Sequence, residues 1–148
     1  MRGRPLHLVR RALTSVDNRP IAASERAAAA SVLTAGEMEL WEVMAPRDQR
    51  HSLEVLGRFV SVLTDATRAE RAAALLHDVG KTRAGLGWCL RVVATLVGPR
   101  TRRFAAYHDH ERIGSEMLSA VSDAQTVRLV AGDPTERAAE VLRRADDI

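Results

Sequence analysis

Four short stretches of this chain carry side chains that could do chemistry together. His51 follows Arg50 early in a segment with helical apolar spacing. His77 and Asp78 follow the apolar run Ala73-Ala74-Leu75-Leu76 and precede Val79-Gly80-Lys81. His108, Asp109, His110 and Glu111 form the third stretch, and Asp146 with Asp147 the fourth, after Arg144-Ala145. Of the 5 histidines, only His7 lies outside these stretches. Imidazole nitrogen and carboxylate oxygen are the ligands that borderline and harder divalent ions accept. His77 and Asp78, as neighbours, offer one of each from a single turn. His51 and Asp146 can reach the same point from two other helices. Two His and two Asp leave coordination positions open to water or substrate, as a catalytic metal requires. An acid and an imidazole emerging from a buried helix face are costly unless paired or metal-bound. The expected cofactor is therefore one divalent ion held by His51, His77, Asp78 and Asp146. Mn, Mg, Fe, Co, Ni and Zn all suit that ligand set.

The elements that must position these residues read as helices. A 3.6-residue apolar period dominates, and no stretch alternates like a half-buried strand. Leu6, Val9 and Leu13 mark a first helix, and Ala27 to Leu33 a second. Thr34 with Glu37, and Thr67 with Glu70, have the spacing of capping boxes, in which hydroxyl and carboxylate satisfy each other's backbone amides. Leu40, Trp41 and Met44 share an apolar face after the first box. Pro46 ends that helix or begins the next, and Asp48 is a candidate cap for a helix through Leu53, Leu56, Val60 and Leu63. The helix after Thr67 runs to about Asp78, where Gly80 breaks it. Leu90 to Val97 predicts another, stopped by Gly98 and Pro99. Ile113, Met117, Leu118 and Val121 line the next, with Asp109 a candidate cap, and Gln125 to Ala131 closes at Gly132. Asp133, Pro134 and Glu136 predict the last helix start, with Ala138, Val141, Leu142 and Ala145 on its apolar face. The expected fold is all-α, a bundle of about seven or eight helices. It is read as one domain over residues 1–148, with 1–45 an extension packed on a core of 46–148.

The order His51, then His77-Asp78, then Asp146 resembles the HD superfamily of metal-dependent phosphohydrolases. The matching segments are Arg50-His51-Ser52, Leu76-His77-Asp78-Val79-Gly80-Lys81, His110-Glu111-Arg112-Ile113-Gly114 and Arg144-Ala145-Asp146-Asp147. The resemblance implies an HD-like helical core in which those four residues hold one metal. It also implies hydrolysis of a nucleotide or other phosphate ester by a metal-activated water. Two-metal relatives carry further histidines; His110 and His108 could serve here, but Val130-Ala131-Gly132 offers no second ligand, which favours one metal. Thr82-Arg83 replaces the Glu-Asp pair of guanosine tetraphosphate hydrolases, and no Gly-Tyr-Pro signature of cyclic di-GMP hydrolases occurs. Hydrolysis needs an activated water and neutralised phosphoryl oxygens. Lys81 is the first candidate for a phosphate contact, followed by Arg50 and His110. His110 is also a candidate general acid to the leaving oxygen, and Asp147 could orient a ligand or water.

Composition bounds the alternatives. The chain has 148 residues, 46% of them hydrophobic and 28% charged, a globular balance. Aromatics at 3% leave little for the base stacking that single-stranded nucleic-acid binders use. Lys81 is the sole lysine among 22 lysines and arginines, a bias that weakens any inference from the pI of 9.9 to nucleic acid. A basic nucleic-acid binder using Arg91, Arg100, Arg102 and Arg103 remains an alternative class. A non-catalytic metal- or nucleotide-binding module is another. The single cysteine, Cys89, excludes an internal disulfide and suits a reducing cytoplasm. Met1 to Val9 lacks a signal-peptide pattern, and Leu86 to Gly98, interrupted by Arg91, is too short to span a bilayer. The expected partner is a phosphate-containing small molecule.

Overall fold

Two helices of this chain start at threonine caps, and others begin without a side-chain cap. The computed structural model describes residues 18–84 and 110–148. The described residues contain eight helices and no strand: α1 (Ala23–Ala30), α2 (Ala35–Glu42), α3 (Pro46–Val62), α4 (Arg68–Leu76), the single turn α5 (Lys81–Ala84), α6 (His110–Leu118), α7 (Ala124–Val130) and α8 (Ala139–Asp146). The fold is all-α, as expected. No helix among the described residues is long and apolar enough to cross a membrane. The helices expected over Leu6–Leu13 and Leu90–Val97, the cap at Asp109, and Cys89 and His108 lie outside the described residues.

Both capping boxes form. Thr34 Oγ1 accepts from Glu37 N at 3.4 Å while Glu37 Oε2 accepts from Thr34 N at 2.8 Å. Thr67 and Glu70 repeat the pattern at 3.2 and 2.8 Å. Each box glutamate is also fully buried, and each is met by an arginine from elsewhere in the fold. Arg68 Nη1 donates to Glu37 Oε2 at 2.8 Å. Arg137 donates to both Glu70 oxygens, at 2.9 and 3.1 Å. A local cap thereby becomes a tertiary clamp: Glu37 ties α2 to the start of α4, and Glu70 ties α4 to the turn before α8.

Pro46 begins α3 at its first position, where its missing amide costs nothing. Ala45, not Asp48, is the residue before the helix; Asp48 lies in its first turn, where its charge suits the helix dipole. Helix α4 is the centre of the bundle. It packs on α2, α3 and α7, while α3 also meets α8 and α6 meets α5 and α7. The chain is buried without a break from Ala72 through Gly80. One hydrophobic cluster runs from Ala29 to Ala145, around Trp41, Val55, Phe59, Leu75 and Leu118.

The last helix departs from expectation. Asp133 Oδ1 accepts from Thr135 N at 2.9 Å and from Thr135 Oγ1 at 2.8 Å. The carboxylate thus builds a turn two residues on instead of capping a helix three residues on. Glu136, expected to complete the box, is drawn away by Arg128 Nε at 2.6 Å. Residues 133–138 form turns, and α8 starts at Ala139.

The Glu70–Arg137 clamp has a pH signature. Hydrogen bonds from Arg137 hold the Glu70 carboxyl below its ordinary 4.5, against the upward push of burial. A carboxyl lowered by folding stabilises fully above its unfolded value and loses that contribution as pH falls through its folded value. Glu70→Gln should therefore destabilise the protein most at neutral pH, with the difference from wild type closing as pH drops below 4.5. Urea titrations at a series of pH values test this, and a gap that widens on acidification would refute it.

Candidate metal centre

The centre is built where α4 ends. His77 and Asp78 leave the helix without leaving the core, with exposures of only 8% and 2%. His77 Nδ1 lies 2.8 Å from the carbonyl oxygen of Ala74. A carbonyl only accepts, so Nδ1 carries a proton and donates it there. That bond fixes the ring and directs Nε2 away from the helix, the arrangement usual for a metal-ligating imidazole.

Four other elements bring their groups to this corner. From α3, His51 Nε2 sits 2.7 Å from Asp146 Oδ1, at the end of α8. The same Asp146 oxygen is 3.4 Å from His77 Nε2, so one carboxylate oxygen faces both imidazoles. Asp78 Oδ2 lies 3.5 Å from His77 Nε2. Its other oxygen, Oδ1, lies 3.5 Å from His110 Nε2 at the start of α6. The rings of His51 and His77 meet edge to face with centroids 5.7 Å apart. Lys81 Nζ donates to Asp78 Oδ2 from the turn of α5.

The charges explain the titration behaviour. Burial pushes the Asp78 carboxyl up, but Lys81, then His77 and His110, outweigh it and hold the group below the usual carboxylate range. Burial likewise pushes Asp146 up, and the hydrogen bond with His51 together with the nearby charge of His77 brings it well below. Burial lowers His77, yet the carboxylates of Asp78 and Asp146 raise it overall.

A divalent cation fits this donor set. One ligand atom each from His51, His77 and Asp78 all lie within 4.8 Å of one another. Metal–ligand bonds of about 2.0–2.2 Å put adjacent donors roughly 3–4 Å apart, so the widest of these separations would have to close around an ion. Two of the atoms, His77 Nε2 and Asp78 Oδ1, are buried without a hydrogen-bond partner. A buried donor or acceptor left unmatched is costly, and a cation would satisfy both. Beside this corner opens a cavity of about 370 Å³, lined at one end by His77, His110 and Asp146.

Glycine makes the approach of α6 feasible. A Cβ on Gly80 would stand 1.9 Å from the carbonyl oxygen of His110 and 2.8 Å from the amide nitrogen of Gly114. Only a glycine lets α6 close over the turn after Asp78 and hold His110 against Asp78 Oδ1.

The structure thus brings together His51, His77, Asp78 and Asp146, with Lys81 and His110 against Asp78. It places two expected groups elsewhere. Arg50 donates to the carbonyl oxygens of Arg19 at 2.9 Å and Pro20 at 2.7 Å, and approaches Glu25 Oε1 at 3.3 Å. Successive helix residues point about 100° apart, so the neighbour of a ligand on α3 faces a different partner. Arg50 therefore braces the segment before α1 and is not among the groups gathered at the centre. Asp147 is exposed and bonded to Arg143 Nη1 at 2.8 Å, a surface pair, not a support for the ligands. Sequence reasoning missed Arg58, whose Nε donates to the Ala145 carbonyl at 2.7 Å. It satisfies an orphan carbonyl at the C-terminal end of α8 and so fixes the backbone beside Asp146. The signal was present: Arg58 lies two turns after His51, on the same face of α3.

Comparison of the chain with protein-family models, with curated proteins and with solved structures finds no match.

Two outcomes test the centre. His77→Ala and Asp146→Ala should each lower Mn²⁺ affinity by more than the ~10–100-fold that loss of a supporting group costs, measured by calorimetry on folded protein; full metal content in either variant would contradict the site. Gly80→Ala should displace α6, lowering the unfolding midpoint and weakening Mn²⁺ binding together, whereas Gly57→Ala, with open space around its Cβ position, should leave binding unchanged.

Proposed function

We propose that this chain is a metal-dependent phosphohydrolase of the HD type, acting on a nucleotide or other phosphate ester. The observation that carries the reading is the convergence of His51, His77, Asp78 and Asp146 around two buried, unmatched polar atoms beside a cavity that His77 and Asp146 help to line. A divalent ion bound there would lower the pKa of a water molecule and offset charge on a phosphoryl oxygen.

The chain's own residues supply the rest. His77 is held by the Ala74 carbonyl and Asp78 by Lys81, so both present fixed lone pairs. Arg58 anchors the end of α8 and with it Asp146. Lys81 is thus a charge-balancing partner of Asp78 before it is a phosphate contact. His110 reaches the cavity with Nε2 near Asp78 Oδ1, a position from which that nitrogen can carry a proton to a leaving oxygen. In the net reaction the water oxygen bonds to phosphorus as the ester P–O bond breaks. The leaving oxygen takes the proton from His110 Nε2, and the proton the water gives up restores it.

Phosphate release from p-nitrophenyl phosphate and a panel of nucleotides, with Mn²⁺, Mg²⁺, Co²⁺ or Ni²⁺, tests the proposal. Turnover is expected with at least one metal and should vanish with chelator. His110→Ala should slow it by about 10²-fold or more while metal stays bound. Metal-dependent thermal stabilisation without turnover on any substrate would favour a non-catalytic metal module instead.

A further inference from the structure

The cavity beside the centre has a polarity of its own. Besides His77, His110 and Asp146 its wall holds the apolar Leu129, Val130 and Leu142 and the charged Glu111, Glu140 and Arg143. Its volume of about 370 Å³ suits a small ligand. Two of its charges cancel: Arg143 donates to both Glu140 oxygens, at 2.9 and 2.8 Å. Glu111 is different. It lines the cavity, one residue after His110, and among the described residues no hydrogen bond or ion pair engages its carboxylate. Its position is also specific. A Cβ on Gly132 would lie 2.9 Å from Glu111 Oε2, so the carboxylate rests against backbone that only a glycine, here at φ +77°, leaves bare.

No cation among the described residues stands unengaged along this wall to receive a second or third phosphate. Lys81 is bonded to Asp78, Arg50 to the Arg19 and Pro20 carbonyls, and Arg143 to Glu140 and Asp147. A triphosphate tail laid along the cavity would meet the Glu111 carboxylate.

We propose that the cavity selects phosphate monoesters whose remote end carries an amine or paired N–H donors, read by Glu111. This rests on the hydrolase reading and names its substrate class. The phosphate sits at the metal end, a short apolar body lies on Leu129 and Leu142, and the donor end meets an acceptor-only group. Glu111 is a specificity residue here and takes no part in proton transfer.

The test uses the full chain with Mn²⁺ and five probes: ethyl phosphate, 2-aminoethyl phosphate, 2-carboxyethyl phosphate, and AMP against ATP. The amine ester should exceed the carboxylate ester in kcat/KM by about fivefold or more, as one partly solvated charge pair allows, and AMP should exceed ATP. Glu111→Gln should shrink the amine-to-carboxylate ratio toward one, mainly through KM, and Glu111→Asp should keep part of it. Hydrolysis with no preference, a preference for ATP or the carboxylate ester, or a ratio unmoved in Glu111→Gln overturns this inference and leaves the hydrolase reading standing. No hydrolysis of any probe overturns both.

Discussion

Burying Asp78 is the constraint around which the structure is arranged. The last turns of its helix are buried, and from Ala72 the chain does not reach the surface until after Gly80. An ionised carboxylate in such a place is stable only with partners. Lys81 supplies one positive charge, but Asp146 brings a second carboxylate to the same corner. With neutral imidazoles the group carries one negative charge too many. Either the histidines take up a proton or a cation enters. That deficit is why His77 is raised despite its burial, and it is the physical content of the metal assignment. Lysine alone would have sufficed for a structural pair. The second carboxylate and the three imidazoles have no such explanation.

The frame that delivers these groups depends on charge as much as on apolar packing. Glu37 and Glu70 each satisfy the amides of a helix start and then accept an arginine from a different element. Arg68 also pairs with Asp123, and Arg137 with Asp65, so each arginine holds two acids from different stretches of chain. Arg58 and Arg50 neutralise no ligand but bond backbone carbonyls. Much of the arginine excess among the described residues is thus spent inside the fold. High pI here reflects the material of the frame and says little about a nucleic-acid partner.

What could be read in advance follows from how local each interaction is. The two capping boxes span three residues, and both formed as spaced. The four ligand candidates were found because an imidazole and an acid beside an apolar run demand partners whatever the helix packing. Residues whose roles depend on rotation about a helix axis were harder. Arg50 was placed with His51 because it is adjacent in sequence, and adjacency on a helix means divergence. Arg58 escaped notice although it shares a face with His51, since an arginine's target may be a distant carbonyl that leaves no mark in its own neighbourhood. Glu111 was likewise invisible beside His110 until α6 and the Gly132 turn were seen together.

The misread start of α8 and the cavity have one cause. Asp133, Pro134 and Glu136 satisfy the rules for a helix start, but Asp133 bonds within its own turn and Glu136 is claimed by Arg128. The chain therefore passes from Gly132 to Ala138 as turns. Gly132 and Pro134 from this segment line the cavity beside His77 and Asp146. A side chain at position 132 would strike Glu111. Local preference yields where the fold must stay open, which is the pattern expected at a binding site and not in a core. The turn before α8 is in that sense part of the candidate site.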